Sequence, residues 1–200
     1  IFHPDGSPAS DHDGQIDVLF YGKFIPLHGA ETIVRAAAIV KQRCRDVRFE
    51  LIGTGQAYQR ARPLATKLGV QRIQWPDWLP YEALGERLRA ADIALGVFSG
   101  GTKAGRVIPN KVHQALACGV PVVTRRSPAV ERLLVDGESA LLVPPDDPEA
   151  LADAILRLAS DREMRREIGA RGRQAWLGQA SEVVLTGVAG DVLRRVGLAC

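Results

Sequence analysis

The chain has 200 residues, 46% of them hydrophobic, and a formal net charge of +3. That allows one generous domain or two small ones with ample material for a core, and leans only weakly toward an anionic ligand. Aromatic residues at 6% and the absence of a dense basic block exclude the pattern of a general nucleic-acid binder.

The cysteines (Cys44, Cys118, Cys200) are odd in number and far apart, with neither a CxxC nor zinc spacing. His3, His12, His28 and His113 form no HExxH, so no metal ligand and no cofactor is assigned. A reduced, cytoplasmic protein is the simplest reading. No apolar run reaches the roughly 18 residues of a membrane span, and no signal peptide is read at the start. A peripheral membrane contact through parts not present here stays open.

Residues 1–15, "IFHPDGSPASDHDGQ", have linker composition, as in a piece of something longer. "IDVLFYG" (16–22) predicts a buried strand, followed by a helix from Ala30 to Arg43. "VRFELIG" (47–53) predicts a second strand and Gln56–Leu68 a helix. "RIQWPDWL" (72–79) reads as a short strand, "YEALGERLRA" (81–90) as a short helix and "DIALGVF" (92–98) as a fourth strand. After a glycine-rich loop come a helix at 110–118, then "PVVTR" (121–125), "AVERLLVDG" (129–137) and "SALLVP" (139–144). Asp147 and Pro148 mark the start of another helix, and from Asp161 onward the chain reads as helical. Strands rich in Val, Ile and Leu alternating with helices predict an α/β fold, a doubly wound parallel sheet with extra C-terminal helices.

Ligands of such sheets sit outside the carboxyl ends of the strands, which selects the joints 22–29, 53–56, 76–81, 99–111 and 125–131. At the first, Gly22 and Gly29 permit close backbone approach, and Lys23 and His28 add positive charge at a helix N-terminus. The alternative is a solvated lysine and a packed histidine. The second joint, "IGTGQAY", holds a lone GxG with Tyr58 where a dinucleotide fingerprint needs its third glycine, which disfavours a nicotinamide enzyme. The third carries Trp75, Trp78 and Tyr81; Trp78 and Leu79 could wall a flat base, or the aromatics could be core. The fourth, "FSGGTKAGRVIPNKVHQALACG", supplies Thr102, Lys103, Arg106 and Lys111 ahead of a helix N-terminus, a cationic loop suited to a diphosphate. Its bland alternative is a floppy basic loop.

"GKFIPLHGAETIVRAA", "ELIGTGQ", "PNKVHQALACGVPVVT" and "ERLLVDGESALLVPPDDPEALADAILRL" together resemble the carboxyl-terminal half of the group 1 glycosyltransferases, retaining enzymes of GT-B type. The resemblance runs from about Phe2 to Trp176. It implies a Rossmann-like half of a GT-B fold, divided as an interdomain linker (1–15), a nucleotide-sugar-binding domain (16–180) and a C-terminal helix (181–200). It implies a UDP-, GDP- or ADP-sugar as partner, an acceptor held by an N-terminal domain of the same protein, and an inactive fragment when isolated. By the same resemblance Lys23 falls where the family has an Arg, Lys or Thr after the first strand's glycine, His28 falls where many members have a phosphate-binding Lys, and Gly53 and Gly55 pass the nucleotide. Trp78 and Leu79 read the base through their main chain, and Lys111 belongs to the "PNK" loop. Gln114 replaces the glutamate that bonds the ribose hydroxyls, and Arg106 replaces its partner eight residues earlier. No catalytic residue is assigned. The rival reading is a non-catalytic nucleotide-binding or regulatory module.

Overall fold

The computed structural model describes residues 1–4, 14–44, 46–102 and 105–195. Residues 5–13 of the expected linker, and 196–200 of the expected last helix, lie outside them. Six parallel strands form one sheet: β1 (Ile16–Tyr21), β2 (Val47–Ile52), β3 (Ile73–Gln74), β4 (Ile93–Leu95), β5 (Val122–Arg125) and β6 (Leu141–Val143). Their order is β3-β2-β1-β4-β5-β6, with Ile16 opposite Val47 and Val18 opposite Ile93. The chain builds outward from β1 to β3, then returns past β1 to start the other half. The switch point therefore lies between β1 and β4, where the first and fourth joints meet.

Alternation along β1 feeds two cores. Val18 and Phe20 face α1 (Ala30–Arg43), α2 (Tyr58–Lys67) and α5 (Pro148–Ser160). Leu19 and Tyr21 face α3 (Tyr81–Arg89) and α4 (Asn110–Cys118). With helices on both faces, β4, β5 and β6 are buried at every residue and β1 at all but Ile16, as continuous apolar runs require. Arg48 and Glu50 of β2, by contrast, are half-buried, and Gln74 of the edge strand β3 is exposed. Asp147 caps α5 by accepting from the Ala150 N–H at 3.0 Å, with Pro148 at the first helical position. Asp161 caps α6 (Arg162–Gln179) in the same way through the Met164 N–H, and α7 (Glu182–Arg195) follows.

Three predicted elements come out shorter. The 72–79 strand is reduced to Ile73–Gln74, because Pro76 has no N–H to give and its carbonyl instead accepts from the Gly53 N–H at 2.8 Å. The 92–98 strand is regular only over Ile93–Leu95. Beyond it the buried Thr124 hydroxyl accepts from the Val97 N–H at 3.3 Å, interrupting the ladder. The 129–137 segment holds a 3₁₀ turn, Val130–Arg132, and an isolated bridge from Asp136 to Ala140, not a further strand of the sheet. The helix predicted over 56–68 forms despite Pro63 inside it, anchored by Ala61 and Ala65 against the α1-side core.

Candidate functional site

The first and second joints are sewn together. Phe24 donates its N–H to the Thr54 carbonyl at 2.8 Å, and its own carbonyl accepts from Ala57 at 2.7 Å. A Cβ on Gly53 would lie 2.2 Å from the Gly22 carbonyl oxygen, and one on Gly55 2.8 Å from that of Phe24. With φ of 126° and 146°, both positions exclude other residues on conformational grounds as well. Glycine at 53 and 55 is thus demanded by the contact between two loops, whatever lies above them.

Gly29, at φ 68°, closes the 3₁₀ turn Pro26–His28 and starts α1. It also seats the first joint on the fourth, where Phe98 donates to the His28 carbonyl at 3.2 Å. His28 is buried, its ring edge-on to Phe20 with centroids 5.7 Å apart. Lys111 leaves α4 on the opposite face and crosses the sheet edge, ending with its ammonium 3.8 Å over the Phe20 ring. Gly22 makes that crossing possible: a Cβ there would be 3.2 Å from Lys111 Nζ and 3.6 Å from His28 Cε1. Among the described residues, neither Lys111 Nζ nor His28 Nδ1 has a hydrogen-bond partner, and both atoms are buried. Two orphaned nitrogens thus flank one point, beside the N-termini of α1 and α4.

Burial governs their charge. It pushes the Lys111 amine well below its ordinary range. For His28, burial and then the neighbouring lysine lower the ring to about 4, and the Lys23 backbone favours the charged form too weakly to offset this. The expected positive charge on His28 is therefore corrected: in this state the imidazole is neutral at pH 7.

The remaining candidates are less tightly placed. Lys23, Thr102 and Arg106 are exposed, and their side chains make no hydrogen bond or ion pair among the described residues. Lys103 lies outside the described residues. Trp78 is 73% exposed and so is not core, whereas Trp75 packs against Phe24 and Tyr58. Leu79 rests half-buried on the α4-side core. Gln114 is held at both ends of its amide: its oxygen accepts from Tyr21 at 2.8 Å, and its nitrogen donates to Tyr81 at 3.3 Å. The oxygen expected to serve a ribose is already engaged within the protein.

Arg125 was not among the candidates. Buried at the carboxyl end of β5, it donates through Nη1 to the carbonyls of Ser99 and Gly101, the latter at 3.2 Å. Asp146, at φ 54°, holds the same loop from the other side by accepting from Gly100 at 2.7 Å. The joint at 125–131 did point to Arg125, since a charged residue ending a buried strand faces the ligand side. Tyr21 gave no such signal, because an aromatic closing an apolar strand reads as core.

Beside the α1 N-terminus a hollow of about 300 Å³ opens between Gly29, Arg60, Ser99 and Asp146. A larger one, about 900 Å³, lies at the opposite end of the sheet. Its charges oppose one another, with Arg43 2.6 Å from Asp153 and Arg165 3.8 Å from Asp92, so it offers no net field to an anion. Among the described residues no group of three His, Cys, Asp or Glu side chains could hold a metal ion. Nor is any described helix long and apolar enough to cross a membrane.

Comparison with known proteins bears on the family and the fold. The family model for glycosyl transferases group 1 matches residues 15–161. LpsE of Rhizobium meliloti, a lipopolysaccharide core biosynthesis glycosyltransferase, is 29% identical over 170 residues, 84% of this chain and 47% of that protein. The chain thus spans about half the length of such relatives. The C-terminal domain of LpcC, a group 1 glycosyl transferase from Francisella tularensis, superposes with a TM-score of 0.74 at 17% identity, over 90% of this chain and 96% of that domain. HepE of Anabaena, solved in complex with UDP-glucose, gives 0.79 at 18% identity, over 90% of this chain and 49% of its own. The six-stranded parallel sheet is the Rossmann-like, C-terminal half of a GT-B fold, and the chain belongs to the group 1 glycosyl transferases.

Proposed function

We propose that this chain is the donor domain of a retaining glycosyltransferase, binding a nucleoside diphosphate sugar whose sugar passes to an acceptor held by an N-terminal domain of the same protein. The observation that carries this reading is the pair of buried, unpartnered nitrogens of Lys111 and His28 beside Gly22. An amine buried without a counter-charge costs stability, and a diphosphate seated there would offset that cost. The approaching anion raises the lysine pKa again, which favours the protonated amine as a fixed cation. As the sugar leaves, negative charge grows on the terminal phosphate, where the Lys111 ammonium and the N–H groups opening α4 and α1 stabilise it. Lys23 and Arg106, exposed at the same mouth, add a second ring of positive charge. The HepE complex supports UDP-sugars as the class to try first. The setting proposed is cytoplasmic, and the 200-residue chain alone should transfer no sugar.

Calorimetry with UDP, GDP and ADP, each against its nucleoside, tests this reading. At least one diphosphate should bind ten times or more tighter than its nucleoside, since charge-assisted hydrogen bonds are each worth about 1.5–3 kcal/mol. Equal affinities would refute a diphosphate site.

A further inference from the structure

Gln114 is the middle of a hydrogen-bonded row with a direction. Tyr21, at the carboxyl end of β1, is buried, and burial pushes its phenol up, so it stays protonated and is a donor. Its proton has two inward acceptors, Gln114 Oε1 at 2.8 Å and the Lys111 carbonyl at 3.2 Å. An amide has one accepting and one donating end. With its oxygen turned to Tyr21, Gln114 directs its nitrogen at the Tyr81 hydroxyl, 3.3 Å away. Tyr81 opens α3, is 53% exposed, and leans edge-on against Phe2 with centroids 5.4 Å apart. A phenol carries a single proton. Because the Tyr81 oxygen accepts on its inner side, its proton is left for the outer side.

We propose that Tyr81 is a specificity-determining residue of this site, its hydroxyl oriented by the Tyr21–Gln114 pair to donate outward to an acceptor on the nucleoside part of the donor. The inference rests on the diphosphate reading given above. Lys111 and Gln114 stand three residues apart on α4, an axial step of about 4.5 Å from the anion end of the site toward Tyr81. Trp78, three residues before Tyr81 and largely open to solvent, offers a flat surface of the kind that bases stack upon. The side of the diphosphate that meets Tyr81 is therefore the nucleoside side.

The identity of residue 114 then sets the sign of the outer hydrogen bond. A carboxylate has only acceptors, so it would draw the protons of both tyrosines inward and leave Tyr81 presenting a lone pair. Gln114→Glu should reverse the hydroxyl without removing it. If the tyrosines served only to tie α3 to α4, neither that change nor loss of the Tyr81 hydroxyl would alter what the site binds.

The test measures dissociation constants of the 200-residue chain for UDP, GDP, ADP and inorganic pyrophosphate, with the melting temperature of each variant alongside. Tyr81→Phe, at an exposed position, should fold normally and weaken the best-bound nucleotide about three- to tenfold while leaving pyrophosphate unchanged. Gln114→Glu should weaken that nucleotide to a similar degree with Tyr81 intact. Tyr81→Phe binding the nucleotide as tightly as wild type overturns the inference while leaving the diphosphate reading intact. Weakening by Tyr81→Phe but not by Gln114→Glu overturns the orienting role of Gln114. A wild-type chain that binds none of the three nucleotides overturns both readings.

Discussion

At Lys111 and His28 a folding chain accepts two groups that would be better solvated elsewhere. Removing the lysine while keeping its volume should therefore separate stability from binding. Lys111→Met should hold or raise the melting temperature and weaken nucleoside diphosphate binding at least tenfold, read by scanning fluorimetry and calorimetry on the same preparation. His28 predicts a pH dependence of definite sign. Its folded pKa of about 4 lies below the ordinary value of 6.5, so the unfolded chain binds the proton first. The stability of the neutral, buried ring is complete above pH 6.5 and falls as pH drops toward 4, by about 1.4 kcal/mol per unit. Urea unfolding at pH 7.5 and 5.0 should show wild type losing about 2 kcal/mol more than His28→Gln; equal losses would place the imidazole in solvent. Of the site, the sequence displays what a joint can show: which glycines, cations and amides lie at the carboxyl ends of strands. It does not display that Lys111 crosses from one face to the other, or that His28 loses its charge. Both depend on Gly22 and Phe20 meeting α4 across ninety positions of chain.

Elements were more legible than side chains because their signals are local. The Asp147–Pro148 start of α5 and the Ala30–Arg43 limits of α1 are written within a few residues. β3 is shorter than the run suggests because Ile73, Trp75, Trp78 and Leu79 continue the apolar pattern past Pro76, whose missing N–H matters only once β2 lies beside it. α6 carries a less visible constraint. Gly169 lies against the end of α4, where an added Cβ would be 2.2 Å from the Gly119 carbonyl oxygen. Helix propensity alone favours alanine over glycine by about 1 kcal/mol. Gly169→Ala should nevertheless destabilise by about 2 kcal/mol or more, because backbone must move to admit the methyl. Gly178→Ala in the same helix, with nothing within 4 Å of its Cβ, should hold or gain stability by up to about 1 kcal/mol. Chemical denaturation of the two variants checks the contrast, and a loss at both positions would point to the helix itself and not to its contact with α4.

At the scale of the molecule, β1 belongs to both cores at once: Val18 and Phe20 on one face, Leu19 and Tyr21 on the other. Neither side can lose its packing while the central strand survives, so the sheet should unfold as one unit. The tryptophans provide the measurement, since Trp75 packs on the α1-side core and Trp176 on the α4-side core. Variants keeping only one of them, Trp78→Phe/Trp176→Phe and Trp75→Phe/Trp78→Phe, should each show a urea midpoint by fluorescence equal to that by circular dichroism. Separate midpoints within one variant would mean that one face melts first.

The stitching of the first joint to the second bears on how such domains could be recombined. Loop 22–29 shares two main-chain hydrogen bonds with 54–57, and Gly53 and Gly55 are pressed against its carbonyls. A chimaera that imports 22–29 from a relative would place a foreign backbone on two positions with no room to adjust. The exchangeable cassette is therefore the two loops together, although about two dozen residues of helix and strand separate them in the chain.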